Sequence, residues 1–311
     1  MPYFIKCYLN AAYRLLYTRL KGEKVNPGII AGKNVLNIVE ANDYIYNSLL
    51  SGIPFMAARY GSVELGVMVK YITKQFGFIH EIPNKHMKVL CYNAGFFPNK
   101  KEDAEIFAKL MLELSQQVDL LGAWNDILED YVIKEYAPQT QITYLYALYP
   151  YNCKRPWMAA LEGKKVLVIH PFEETIQQQY VKRGLLFENP LILPKFELKT
   201  IKAVQTIAGN KSEFTSWFEA LDYMLGKALD IDFDIALIGC GAYGFPLAAN
   251  LKKMGKQAIH LGGWLQYLFG IMSTRSDLDP KMSKLYNEYW VRPNSEERPK
   301  DFQTIEGGCY W

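Results

Sequence analysis

Short runs of uninterrupted apolar residues alternate with segments of helical period along most of this chain, and that alternation narrows the folds open to it. Lys164-Lys165-Val166-Leu167-Val168-Ile169-His170 is the clearest such run. A strand that is apolar at every central position must be covered on both faces, as happens in a parallel sheet with helices above and below. The same reading gives strands over 53–60, 118–124, 234–238 and 256–261, and helices over 63–76, 101–117 and 243–254. Residues 88–97 have a strand-like start and a polar, Pro-ended finish. A helix is expected near Glu173, and another from Ser212, with Trp217, Leu221 and Leu225 on one face. The prediction is an α/β chain: a Rossmann-like, doubly wound, mostly parallel sheet with helices on both faces, occupying residues 51–275.

The two ends differ from this body. Residues 1–50 read as an amphipathic helix followed by a linker punctuated by Gly22, Pro27, Gly28 and Gly32. Phe4, Tyr8, Ala11 and Leu15 form one stripe on a helical wheel, widened by Ile5, Leu9 and Leu16, with Lys6, Asn10 and Arg14 on the other side. Lys6, Arg14, Arg19, Lys21 and Lys24 outnumber Glu23. Residues 1–24 therefore suit either peripheral contact with an anionic membrane or packing on the main domain with a solvated basic face. Residues 276–311 lose periodicity, carry Asp279-Pro280, Arg292-Pro293 and Arg298-Pro299, and read as an ordered arm or a tail. No apolar run approaches the roughly 20 residues of a spanning helix, and no signal-peptide pattern is present. The cysteines include no C-x-x-C pair. A cytoplasmic protein is expected, at the inner membrane face if the basic helix docks there. Charge is nearly balanced, 35 Lys+Arg against 32 Asp+Glu. It lacks the basic surplus of a dedicated nucleic-acid binder, so no nucleic-acid partner is expected.

Gly239-Cys240-Gly241-Ala242-Tyr243-Gly244 spells G-x-G-x-x-G between a strand and a helix. Glycines at such a turn let the backbone approach a phosphate at the helix N-terminus. A nicotinamide site also needs an acidic residue about 20 positions on to hold the ribose hydroxyls. No carboxylate occurs between Phe245 and Asp277, and the next strand closes on His260 and then Gly262-Gly263. A phosphate-bearing ligand fits and NAD is not expected; a methyl-donor site fails at the same place. Arg59-Tyr60-Gly61-Ser62-Val63-Glu64 is the second stretch with chemical content. It sets Arg59 at a strand end, where it could grip a diphosphate, and Glu64 in the first helical turn, where it could hold a cation or a sugar hydroxyl. A surface ion pair would use the same letters.

The Arg-Tyr-Gly-x-x-Glu of residues 59–64, the strand-turn of residues 234–246 and Gly262-Gly263 together resemble the glycosyltransferase-D fold family. Its members are bacterial enzymes, mostly of surface-glycan assembly, with the pattern Arg-Phe-Gly-Asp-Gly-Glu. The resemblance implies a hexosyltransferase-like enzyme that takes a nucleotide-diphosphate sugar and passes the sugar to a glycan or lipid-linked acceptor. It also implies Mn2+ or Mg2+ at Glu64, although Ser62 stands where the family has its first metal carboxylate. The stretches LCYNAGFFP, VLVIHPFEE, IGCGAYGFPLA and GGCYW resemble uncharacterised proteins of bacterial capsule and polysaccharide gene sets. Two other readings stay open: an NAD- or S-adenosylmethionine-dependent enzyme built on the glycine turn, and a non-catalytic sugar-nucleotide-binding protein.

Further candidates follow from position. His170 and Glu173 flank the end of the strongest strand and are candidate bases for an acceptor hydroxyl. Glu64 is the third catalytic candidate. Tyr60, Gly61, Ser62, Asn93, Trp124 and Gln266 join Arg59, Gly239, Gly241, Tyr243, Gly244, Gly262 and Gly263 as candidate donor-binding residues near strand ends.

Overall fold

The computed structural model describes residues 2–22 and 26–311; Glu23 and Lys24 of the basic segment lie outside the described residues. Among the described residues the strands are β1 (Ile29–Ile30), β2 (Lys33–Leu36), β3 (Phe55–Ala58), β4 (Leu120–Ala123), β5 (Gln141–Tyr144), β6 (Lys165–His170), β7 (Glu197–Lys202), β8 (Ile235–Ile238) and β9 (Gln257–His260). They form one sheet in the order β1-β2-β5-β4-β3-β9-β8-β6-β7. Every pairing is parallel except β1 with β2. At the centre Ala57 of β3 stands opposite both Leu120 of β4 and Ile259 of β9.

Helix α1 (Pro2–Lys21) precedes the strands, and between them lie α2 (Ile38–Ser51), α3 (Ser62–Gln75), α4 (Asn84–Ala94), α5 (Lys101–Leu114), α6 (Glu129–Tyr136), α7 (Glu173–Val181), α8 (Arg183–Leu186), α9 (Trp217–Leu229) and α10 (Gly244–Lys253). The short α11 (Thr274–Asp277) and α12 (Pro280–Ser283) follow. Two apolar cores sit on opposite faces of the sheet. Leu167, Ile169, Ala236, Ile238 and Ala258 point into one, with α3, α5, α9 and α10. Val166, Val168, Ile235, Leu237 and Ile259 point into the other, with α2 and α7. The alternation is the strand period of two, and it explains why β3, β4, β8 and β9 are buried throughout. The fold is thus α/β, mostly parallel and doubly wound.

Several local expectations change. The stretch read as linker supplies β1, β2 and α2, with Val35 paired to Ile142. Asn37 opens α2 in a capping box, accepting from the Glu40 backbone N–H while the Glu40 carboxylate accepts from the Asn37 N–H. Residues 84–94 are helical where 88–97 suggested a strand, because Met87, Leu90 and Ala94 recur at the helical spacing that buries one face. The helix expected from Ser212 begins at Trp217, capped by Ser216, whose hydroxyl accepts from the Glu219 N–H at 3.2 Å. The wheel stripe of α1 is split: Phe4, Cys7 and Ala11 are buried against the domain, whereas Tyr8 and Leu15 face solvent. The C-terminal stretch folds back as an ordered arm, burying Met282, Trp290, Ile305 and Trp311 in the second core.

Candidate functional site

A cavity of about 450 Å³ opens beyond the carboxyl ends of β3, β4, β6, β8 and β9, within the size range of small-molecule sites. Parallel strands all deliver their ends to one edge, so residues far apart in sequence converge there. Arg59, Gly61, Ser62, Glu64, Asn93, Trp124, His170, Gly239, Gly241, Tyr243, Gly262, Gly263 and Gln266 all line it. Tyr60, Glu173 and Gly244 are drawn elsewhere. Tyr60 is buried and its hydroxyl donates to Ser115 Oγ at 2.8 Å. Glu173 turns toward β7, where Oε1 accepts from the Thr200 hydroxyl at 2.7 Å. Gly244 packs on His260: a Cβ there would lie 2.3 Å from the ring Cε1.

Arg59 is held on one side and open on another. Its Nη1 donates to the Tyr60 carbonyl at 3.0 Å, and its guanidinium lies 5.2 Å from the Trp124 ring centroid. Trp124 Nε1 donates to the same carbonyl at 2.7 Å, which fixes ring and guanidinium together. Arg59 Nε is buried and has no partner among the described residues. A donor left this way costs free energy unless a ligand satisfies it. Glu64, 7% exposed, occupies the space over Gly61, where a Cβ would sit 1.8 Å from its Oε2. Burial pushes the Glu64 carboxyl up, while Arg59 and its own backbone N–H pull it down; the net direction is up.

His170 is fixed differently from the sequence expectation. Its Nδ1 accepts from the Phe172 backbone N–H at 3.0 Å, and burial lowers its pKa to about 3. The ring is therefore neutral with its proton on Nε2, so it offers the cavity a hydrogen-bond donor and not the lone pair a base needs. Gln266 is 1% exposed, and its Nε2 faces the carbonyls of Ile271, Met272 and Tyr310 at 3.1–3.4 Å. Those carbonyls orient the amide and leave Oε1 as a buried acceptor with no partner among the described residues. The Trp311 Nε1 donor is in the same condition.

Arg275 of α11 and the C-terminal residues Ile305, Glu306, Tyr310 and Trp311 complete the wall. Arg275 Nη2 donates to Glu306 Oε2 at 2.6 Å and its guanidinium lies 4.8 Å from the Tyr310 ring, pinning the arm to α11. Trp264, also on the wall, stacks on Tyr149 with centroids 3.5 Å apart. Arg275 and the arm were not legible as site residues. The available signal was the Gly307-Gly308 turn, which carries positive φ at both glycines and returns the last aromatics to the sheet edge.

Glu129, at the start of α6, organises the Trp124 loop from below. Fully buried, its carboxylate accepts from the Trp124 and Asp126 backbone N–H groups, each at 3.2 Å. Burial pushes its pKa up to about 7 against those hydrogen bonds. A folded-state value above the unfolded one favours folding when the group is protonated. The stabilisation is thus full below about 4.5 and lost as pH rises through about 7. Thermal melts from pH 4.5 to 8 should show the wild type losing up to ~3 kcal/mol relative to Glu129→Gln. Parallel melting curves for the two proteins would contradict this assignment.

The divalent cation implied by the family resemblance would meet few protein ligands here: of the carboxylates on the cavity wall, Glu306 is paired with Arg275 and Glu64 stands apart. Among the described residues no three His, Cys, Asp or Glu side chains come together as a metal cluster. Ser62 gives a hydroxyl where a hard cation wants a carboxylate, and the charge nearest Glu64 is the Arg59 cation. At the end of β9, His260 is buried and neutral and packs against Gly244.

Two solved structures are similar to this chain. One is of domain of unknown function 1792, described as having a distinct glycosyltransferase fold; it is 16% identical, with 86% of this chain and 93% of that chain covered and a TM-score of 0.46. The other, a selenomethionine-substituted structure of the same domain, has the same identity and coverage and a TM-score of 0.44. No protein-family model and no curated protein matches the sequence.

Proposed function

We propose that the chain is a glycosyltransferase that binds a nucleotide-diphosphate sugar in this cavity and passes the sugar to a hydroxyl of a glycan or lipid-linked acceptor. The carrying observation is three of the cavity groups left without partners among the described residues: a cationic donor at Arg59 Nε, a neutral donor at Trp311 Nε1 and an acceptor at Gln266 Oε1. A ligand that is anionic at one end and rich in hydroxyls at the other satisfies all three. Trp124, Tyr310 and the Trp264–Tyr149 stack supply ring faces for a base or sugar.

Arg59 holds the diphosphate and neutralises the charge that develops on it as it leaves. The bond from the sugar anomeric carbon to the diphosphate oxygen breaks, and a bond from that carbon to the acceptor oxygen forms. The acceptor's proton passes to Glu64, a buried carboxylate on the cavity wall whose raised pKa suits it as base. His170 Nε2–H donates to a substrate oxygen, and no step runs through a metal. Surface-polysaccharide assembly is the setting that the shared sequence stretches suggest.

A thermal-shift panel of UDP-, GDP- and CDP-sugars, NAD and S-adenosylmethionine tests the donor, each with Mn2+ and with chelator. Stabilisation by a sugar nucleotide in chelator is expected; stabilisation by NAD alone would overturn the reading. Glu64→Gln should lower sugar transfer by about 100-fold or more without lowering the melting temperature. Unchanged transfer would remove Glu64 from the chemistry. Binding without turnover on any acceptor would favour a sugar-nucleotide-binding protein, the reading that Ser62 in place of a carboxylate also supports.

A further inference from the structure

α1 is attached to the domain by a narrow edge. Phe4 packs against Phe76, Phe78 and Tyr131 with ring centroids 4.7, 5.7 and 5.3 Å away, and Cys7 and Ala11 are buried beside it. Arg14 lies 4.0 Å from Asp130 of α6. These contacts fix the rotation of the helix about its axis. They leave outward a face carrying Ile5, Tyr8, Leu9, Tyr13, Leu15, Leu16 and Leu20, which are 42–72% exposed. At 3.6 residues per turn the seven cover an arc of about 160°. A packed surface helix normally shows the reverse arrangement, with its wide apolar face inward.

The charge on this helix says what covers the face. Residues 2–22 contain Lys6, Arg14, Arg19 and Lys21 and no acidic residue; Arg14 is taken up by Asp130, which leaves Lys6, Arg19 and Lys21 for a partner of opposite charge. Lys6 borders the apolar arc. Arg19 lies within it, on a stem long enough to carry its charge to a polar boundary. Tyr8 and Tyr13 pair apolar rings with polar tips, the kind of side chain that settles at a lipid–water boundary. A second copy would bring the same positive charge against this face, whereas an anionic lipid surface matches both the apolar arc and the charge beside it. No helix among the described residues is long and apolar enough to cross a membrane; the exposed apolar arc of α1 with basic residues at and within it is the pattern of a helix lying in a surface.

We propose that α1 is a preformed docking element that seats its outward apolar face in an anionic phospholipid surface. The proposal does not depend on the chemistry of the cavity. If the acceptor is lipid-linked, docking keeps the transferase at the surface that holds it.

The test is co-sedimentation of the full chain with vesicles of equimolar phosphatidylglycerol and phosphatidylcholine, against phosphatidylcholine alone, at low and high salt. Partitioning into the mixed vesicles should exceed that into neutral ones by at least about tenfold, and high salt should reduce it. The double variant Leu9→Glu/Leu16→Glu should lose binding while keeping the wild-type circular dichroism and melting temperature, because both side chains are mostly exposed. No binding, equal binding to both vesicle types, or binding that survives the double variant would overturn the proposal. So would a dimer in light scattering that the double variant dissociates, which would assign the face to a second copy.

Discussion

Arg59→Ala is expected to weaken binding of the stabilising sugar nucleotide by roughly 30-fold to several thousand-fold, the range for truncating one member of a desolvated charge pair. The fold should survive, because Arg59 makes one protein hydrogen bond, to the Tyr60 carbonyl, beside the face of Trp124, and Glu64 can take up a proton once the guanidinium is gone. The Tyr60 carbonyl keeps a second donor, Trp124 Nε1, when the guanidinium is removed. Arg59→Lys separates charge from shape. An ammonium keeps the cation but loses the planar fork and the directed Nε–H, so it should restore only part of the affinity. Isothermal titration of the three proteins with the same nucleotide sugar reads this directly. Unchanged affinity in a folded Arg59→Ala protein would move the diphosphate away from β3. The carboxylate of Glu64 supplies an internal check, since Arg59 opposes the upward shift that burial imposes on it. Losing the guanidinium should therefore raise the Glu64 pKa further, visible as an alkaline shift of the acid limb of the pH–rate profile.

Much of this site was legible because strand ends in a parallel sheet are a topological address. Arg59, Trp124, His170, Gly239 and Gly262 each follow an apolar run, and all five line one cavity. Tertiary partners decided the rest. Glu173 opens the helix just past the strand that ends at His170, yet Thr200 on the neighbouring strand draws it away from the cavity. His170 reached the cavity, but the hydrogen bond from Phe172 set its tautomer, and no spacing rule reports a tautomer. Arg275 and the terminal aromatics were hidden because an arm without periodicity reveals its path only through what it packs on. The linker reading of residues 29–36 failed on edge strands too short to show a pattern, and Asn37 with Glu40 was the overlooked cap. In α1 the period was right, and the side facing inward was decided by Phe76, Phe78 and Tyr131.

Gly244→Ala should destabilise the protein by about 1–3 kcal/mol, the cost of forcing an extra carbon into a packed site. The backbone itself would welcome alanine: Gly244 has φ −62° and ψ −43°, ordinary helical values, where alanine is favoured over glycine by roughly 0.5–1 kcal/mol. The obstacle is the His260 ring, whose Nδ1 and Cε1 would stand 2.4 and 2.3 Å from the new Cβ. That ring is 2% exposed, with Nδ1 3.3 Å from the Ile238 carbonyl, so it has no open space to swing into. The sign of the effect should therefore invert when the ring is removed: in a His260→Ala background, Gly244→Ala should be neutral or stabilising. A double-mutant cycle on melting temperature measures the coupling. If Gly244 is instead glycine so that a ligand can approach the backbone, the substitution would leave the melting temperature unchanged and lower nucleotide-sugar affinity. A loss of stability with affinity retained places the last glycine of the G-x-G-x-x-G in the packing between α10 and β9, and leaves ligand contact to Gly239 and Gly241 on the cavity wall.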